Sequence, residues 1–451
     1  MSTWDYFIVT FQIGSDYFYK QYKNASIMIT VLAFIFNIIA FFNGEIISAL
    51  ILTAIILLPL FFILGIYVQI KMYPHRKRME KMQQMFLDIG LMAPDGQTPQ
   101  YVGEEDSEYV KIMEFKTVIP LEKWYSKKSL LETYWNSKII NIKNLKDDNN
   151  IVDVFIENKP LSENVLWDDE HTREKDYYCL GIDHFGYVVF DLNSTPHTFI
   201  AGETGSGKSN ILKCLIYQSI IKSYTVKLID FKRGVSFSAF SDIVEIYSDY
   251  DRIQMLLESL VKETNDRLDL LRENRVEDIK DYNRLDDRHM ERIVVFIDEL
   301  AELMKSSDKE ANKAITASLE TLTRLSRAVG INLIMGLQRP DSTIINGQIK
   351  NNVSMRVCGR FVDPEPSRIM LGNDMATKIP QIKGRFILRD GDYREFQAFR
   401  ITDDLMDYIN HKLYQYNKSY QKREPKEAIS EPSQTPNIQD SVIDFNFDDI
   451  I

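Results

Sequence analysis

The chain has 451 residues, 45% hydrophobic and 26% charged. At roughly 100–200 residues per domain, this allows two to four units with real cores and excludes collagen-like, low-complexity and wholly disordered chains. The 54 Lys and Arg against 65 Asp and Glu give a net charge of -11, which argues against a surface coated with nucleic acid and requires any basic footprint to be local. Cys179, Cys214 and Cys358 lie far apart without a CxxC or His/Cys spacing, which argues against a disulfide framework and a structural zinc site. Cys214 falls in an apolar helical stretch and reads as a small buried hydrophobe.

From the N-terminus, Ser26–Phe42 and Ile46–Ile70 carry no charge and are separated only by Asn43, Gly44 and Glu45. Runs of this length cross a ~30 Å hydrocarbon core at 1.5 Å per residue, so the pattern predicts a transmembrane helical hairpin over 25–71. Lys20 and Lys23 precede it, and Lys71, Arg76, Lys77, Arg78 and Lys81 follow it. The turn holds one acid and no base, so both ends are expected in the cytoplasm, with residues 1–24 as a short cytoplasmic segment. A signal peptide does not fit: the first apolar run starts late, is too long, and is followed by a second.

Residues 72–176 read as a linker and a small α+β adaptor. A helix continues from the second span and dissolves at Pro94–Pro99; β-like runs fall at Tyr109–Lys116 and Ile151–Ile156, with helix over 121–135. The charged run Trp167–Asp176 reads as a solvated loop. From 177 to 405, apolar runs alternate with helices: HTFIAG, TVKLIDF, RIVVFID, GINLIMGLQ and SMRVCGRF. Continuous apolar strands between helices predict an α/β domain with a mostly parallel sheet covered on both faces. Residues 406–451 read as a helix and then an acidic disordered tail, ending in DSVIDFNFDDII, either a solvated terminus or a docking peptide.

Residues 202–209 read GETGSGKS, a full GxxxxGK[ST] match between a predicted strand and a predicted helix. Gly202, Glu203, Thr204, Gly205, Ser206, Gly207, Lys208, Ser209 and Asn210 are the candidate ATP cradle. Gly205 and Gly207 let backbone N–H groups approach phosphates, and the helix N-terminus adds its positive dipole end. Lys208 is expected to reach the β- and γ-phosphates and Ser209 to hold Mg2+. Asp298 and Glu299 end the apolar run RIVVFID, where a parallel strand meets the ligand crevice. Asp298 is expected in the Mg2+ shell, and Glu299 as the residue that orients and polarises the attacking water. Gln338, at the end of the next strand, is placed to sense the γ-phosphate.

The P-loop is followed by LIDFK (228–232), NDRLDLLRENRVEDIKDYN (265–283), VVFIDELAELM (294–304), TRLSRAVGINLIMGLQRP (323–340) and GQIKNNVSMRVCGRF (347–361). Together with LGIDHFGYVVFDLNSTPHTFIAG (180–202), this resembles the FtsK/SpoIIIE motor domain over roughly residues 177–400. The resemblance implies a RecA-like P-loop ATPase that forms a homo-hexamer and pumps DNA through a central pore. It makes Arg327, eleven residues before Gln338, the trans-acting arginine finger, with Arg324 as fallback. It turns Lys350 and Arg368 toward DNA; Asp363 and Pro364 stand where the family has a further basic site.

Chromosome-segregating members carry four spans, a long linker and a C-terminal winged helix, for which the residues after Arg400 are too few. Many type IV secretion coupling proteins carry an all-helical insertion between the nucleotide motifs, for which Lys208 and Asp298 are too close. The remaining pattern resembles the short, two-span coupling proteins of Gram-positive conjugative elements. These imply relaxase-bound DNA, a membrane channel and a membrane location as the partners. A plasmid or chromosome partition motor, a type VII-like protein-secretion ATPase and a non-catalytic scaffold are the other readings; an ABC transporter is excluded by the missing LSGGQ. The charge is segregated accordingly: residues 20–81 and 320–400 each carry +5, while residues 82–319 carry -14.

Overall fold

The computed structural model describes residues 77–407 except 146–147, 306–307, 343–344, 346 and 403. The hairpin expected over 25–71 and the tail beyond 407 lie outside the described residues. Among the described residues, no helix is long and apolar enough to cross a membrane. The chain divides between Pro160 and Leu161 into two compact units.

The first unit is a four-stranded antiparallel sheet of β1 (Gln100–Asp106), β2 (Val110–Lys116), β3 (Ile139–Leu145) and β4 (Asp148–Glu157), ordered β1-β2-β4-β3. The helix over 77–88 lays Met82, Met85 and Phe86 into its core, the i, i+3, i+4 spacing of one helical face. Phe86 meets Phe115 edge-on at 5.3 Å and Trp124 at 5.7 Å. The expected runs at 109–116 and 151–156 are β2 and β4. The expected helix over 121–135 is two helices, Leu121–Ser126 and Lys128–Trp135, because Lys127 leaves helical geometry at φ -102° and ψ 0°.

The second unit holds β5 (Val165–Leu166), β6 (Tyr177–Asp183), β7 (Gly186–Asp191), β8 (His197–Ala201), β9 (Thr225–Ile229), β10 (Glu245–Tyr247), β11 (Ile293–Ile297), β12 (Ile331–Leu337), β13 (Met355–Gly359), β14 (Arg385–Arg389) and β15 (Tyr393–Arg400). Its sheet runs β10-β9-β11-β12-β8-β13-β14-β15-β6-β7, with β5 paired to β15. From β10 to β13 all pairings are parallel; from β13 onward to β7 they are antiparallel. The five expected apolar runs are β8, β9, β11, β12 and β13. They are apolar on both sides because both faces are covered. Val294 and Phe296 join the core that includes Leu212, Leu215 and Ile216 of the helix Lys208–Ile221. Val295 and Ile297 join the opposite core, with Leu256 and Leu260 of the helix Tyr250–Asn274 and Leu319 of the helix Lys309–Leu325. Each buried Val, Ile or Phe contributes roughly 1.5–3 kcal/mol by leaving water.

Residues 161–176, assigned to the adaptor by sequence, belong to this second unit. Val165 and Leu166 pair with Phe399 and Arg400. The run Trp167–Asp176 is not a solvated loop throughout. Trp167 is buried and meets Phe399 edge to face, ring centres 5.3 Å apart, and the His171 ring stacks on Phe399 at 4.4 Å. One large aromatic anchors a segment whose charges otherwise mark it as surface.

Candidate nucleotide site

The loop Gly202–Gly207 leaves the C-terminal end of β8 and turns into the helix Lys208–Ile221. Gly205 and Gly207 take the left-handed region at φ +88° and +107°. Gly207 has a second reason to lack a side chain: a Cβ there would sit 3.0 Å from the Gly384 nitrogen. The Gly384 N–H donates to the Ser206 carbonyl at 2.8 Å and the Gly202 N–H to the Leu337 carbonyl at 3.0 Å, so neighbouring strands hold the loop from behind. Glu203 Oε1 accepts the Val362 N–H at 2.8 Å. The side chain of Asn210 faces the other way: its amide donates to the Phe399 carbonyl and its Oδ1 accepts the Ile401 N–H at 3.2 Å. Asn210 therefore clasps β15, and its own N–H is taken by the Gly207 carbonyl at 3.0 Å.

Lys208 is buried and points across the crevice. Its ammonium donates to the Asp298 main-chain carbonyl and lies 3.3 Å from Glu299 Oε2 and 3.6 Å from Asp298 Oδ1. Strand order explains the meeting: β12 lies between β8 and β11, so the P-loop and the acidic pair flank the end of β12. There the Gln338 N–H donates to Glu299 Oε2 at 2.9 Å, and Thr204 Oγ1 donates to the Gln338 side-chain oxygen at 3.4 Å. Gly336 makes the packing possible, since a Cβ would stand 2.1 Å from the Asp298 carbonyl oxygen. Burial pushes the Glu299 carboxyl above the usual range, against the opposing pull of Lys208.

Asp298 Oδ1 is buried and has no hydrogen-bond partner among the described residues. A carboxylate oxygen without a hydrogen bond beside a P-loop suits the water shell of a hard dication such as Mg2+. Its other oxygen lies 3.7 Å from the Lys232 ammonium, a site cation that sequence reasoning missed. The available signal was its place two residues beyond Asp230, just past the end of β9. A helix start, two lysines and an acidic pair at one strand edge can bind a polyphosphate and polarise water.

Arg327 is exposed and lies elsewhere. It precedes β12, whereas Gln338 follows it, and seven strand residues span roughly 23 Å at 3.3 Å each. It sits at the opposite edge of the sheet from its own P-loop, with Nε donating to the Asn193 carbonyl at 3.1 Å. Arg324 is exposed too. Lys350, half-buried, and Arg368, exposed, lie on the helices Gly347–Asn352 and Pro364–Leu371. Buried Arg356, also missed from sequence, donates to the Lys350 carbonyl at 2.9 Å and the Met370 carbonyl at 3.0 Å, tying those two helices together.

The FtsK/SpoIIIE family model matches residues 178–342. The DNA translocase FtsK of Staphylococcus aureus (strain Mu50) is 31% identical over 268 residues, 55% of this chain and 33% of the translocase. That of Helicobacter pylori (strain J99) is 31% identical over 278 residues, 58% and 32%. The chain thus spans about a third of the length of these translocases. Among solved structures, the pCW3 conjugation coupling protein TcpA, in its monomer form with ATPγS, is 36% identical. That match covers 76% of this chain and 99% of TcpA, with a TM-score of 0.57. EssC ATPases 2 and 3 from Geobacillus thermodenitrificans share the fold at 17% identity and a TM-score of 0.51, over 59% of this chain and 53% of EssC.

Proposed function

The chain belongs to the FtsK/SpoIIIE family of P-loop ATPases, and from that premise we propose that it is a membrane-anchored, ATP-driven DNA translocase that serves as a conjugative coupling protein. The observation that carries this reading is the extent of the likeness to TcpA. It takes in 76% of this chain and 99% of TcpA at 36% identity, whereas the chain spans only about a third of the FtsK translocase of S. aureus.

In this reading Lys208 and the N–H groups of Gly205–Ser209 hold the β- and γ-phosphates of ATP. Ser209 and Asp298 would hold Mg2+, which neutralises charge on the phosphates. Glu299 accepts a proton from the water whose oxygen attacks the γ-phosphorus. The bond from that phosphorus to its bridging oxygen breaks, and ADP keeps the electron pair. Gln338 connects the site to β12. Arg327 of a neighbouring copy in a hexamer supplies the positive charge that its own distance from the P-loop denies to the chain that carries it. Lys350 and Arg368 face the DNA, relaxase-bound at one end, that is delivered to a membrane channel. The apolar pair over 25–71 anchors the motor with both termini in the cytoplasm. External protease should therefore leave both ends intact in whole cells, and cleavage of the tail from outside would reverse that orientation.

The test is a mating assay in the host of origin. A Lys208→Ala allele should abolish transfer of the element while its maintenance in the donor stays normal. Normal transfer with defective plasmid or chromosome inheritance would favour a partition motor instead.

A further inference from the structure

We propose that buried Arg292 and Asn332, with half-buried Asn193, form a bracket that positions Arg327 for the neighbouring subunit's nucleotide; this rests on reading Arg327 as a trans-acting arginine. Arg292 is 4% exposed and lies just before β11. Its guanidinium donates to Asp176 Oδ1 at 3.0 Å, Asn332 Oδ1 at 2.8 Å and Asn193 Oδ1 at 2.7 Å. Asn332, fully buried on β12, donates to the Leu192 carbonyl at 3.2 Å and the Pro196 carbonyl at 2.9 Å. Two interior strands thus grip one surface loop, 192–196, at three points. Such a grip on a connection between strands is more than chain reversal requires, since surface loops ordinarily tolerate change.

The loop uses its fixed position to hold Arg327, whose Nε donates to the Asn193 carbonyl. The turn that carries Arg327 is pinned from the other side. Arg267 donates to the Val329 carbonyl at 3.0 Å, and the Ile279 N–H to the Ala328 carbonyl at 2.8 Å. Backbone and Nε are therefore both set, while the guanidinium remains exposed, its side-chain hydrogen bond among the described residues running from Nε. A guanidinium held by Nε still has both Nη groups to offer, and these can make paired contacts with phosphate oxygens. Such pre-ordering is where catalytic advantage comes from, because a displacement of about 1 Å can cost on the order of a hundredfold in rate. The bracket also joins two elements that end at the chain's own site. The loop 192–196 leads into β8 and its P-loop, and Arg327 leads into β12 and Gln338.

The test is a double-mutant cycle on the full chain, reading DNA-stimulated ATP turnover and the affinity for a fluorescent ATP analogue. Asn193→Ala should lower kcat about tenfold with nucleotide affinity unchanged, and should cause no further loss when added to Arg327→Ala. Full kcat in Asn193→Ala overturns the proposal. So does an equal loss on both backgrounds, or a matching loss of nucleotide affinity, either of which would mark a general structural role. Should Asn193→Ala prove unstable at the assay temperature, Arg292→Lys goes through the same cycle; it keeps the charge beside Asp176 but gives up the fork to both asparagines. An impaired Arg327→Ala with additive Asn193→Ala would sink the bracket alone. Wild-type turnover in Arg327→Ala would sink the trans-arginine reading and the bracket with it.

Discussion

The Lys208 ammonium lies 3.3 Å from Glu299 Oε2, and both side chains are buried. The lysine suited to phosphate and the carboxylate suited to water satisfy each other across the crevice, with the Gln338 N–H as the third member. Glu299→Gln preserves shape and hydrogen bonding to Gln338 but removes the base. It should bind ATP with near-normal affinity while turnover falls by roughly 10²–10⁴, the usual contribution of a positioned base. Equilibrium binding and steady-state turnover on the same preparation check this, and unchanged turnover would falsify the role given to Glu299.

The same pair sets a pH dependence. Burial raises the Glu299 carboxyl above the ordinary range although Lys208 pulls it down. The base works only when ionised, so turnover should fall as pH drops through a value higher than that of a free glutamate. Glu299→Gln should lack that acid limb. The effect on stability has the opposite sign. The folded carboxyl binds its proton more tightly than the unfolded one, so its contribution favours the fold at low pH and is lost as pH rises through the folded value. A pH series of turnover and of urea midpoints separates the two effects.

Lys208→Ala and Arg327→Ala should fail for different reasons. The first loses the phosphate contact of its own site, and its nucleotide affinity should fall at least about tenfold. The second should bind nucleotide normally and lose DNA-stimulated turnover. Mixed, they should recover part of it, because an intact P-loop can then face an intact arginine on a neighbour. No recovery at any mixing ratio would place Arg327 outside the trans site.

Much of this site was legible because its chemistry is written in short contiguous motifs. GETGSGKS between two apolar elements and RIVVFIDE could be read from spacing and hydropathy alone. What escaped depends on long-range packing. β14 and β15 alternate weakly and are specified by their partners; that they back the P-loop through Gly384 and Asn210 appears only once the sheet is assembled. Arg356 is a single charge within an apolar stretch and Arg292 follows a charged run at the start of one; nothing local distinguishes them from surface residues, yet both are buried organisers. The domain boundary moved from 176 to 160 because two residues, Val165 and Leu166, extend the sheet beside β15. A two-residue strand leaves no periodicity to detect.

Gly336 is the strictest packing position near the acidic pair. Gly336→Ala places a methyl against the Asp298 carbonyl and must move β11 or β12. Overpacking of this kind costs about 1–3 kcal/mol. Here it should also shift Asp298 and Glu299, so turnover should fall more than thermal stability alone accounts for. A melting curve and turnover measured at a temperature where the variant is fully folded would check it; wild-type turnover there would show that β12 does not set the acidic pair.

In the function proposed above, ATP turnover drives the chain along DNA. Displacement of streptavidin from biotinylated DNA ends, single- and double-stranded, by the full chain in lipid nanodiscs measures this directly. ATP-dependent displacement is expected on at least one substrate, and should be lost in Glu299→Gln and in Lys208→Ala. Active ATP turnover with no displacement on either substrate would contradict it.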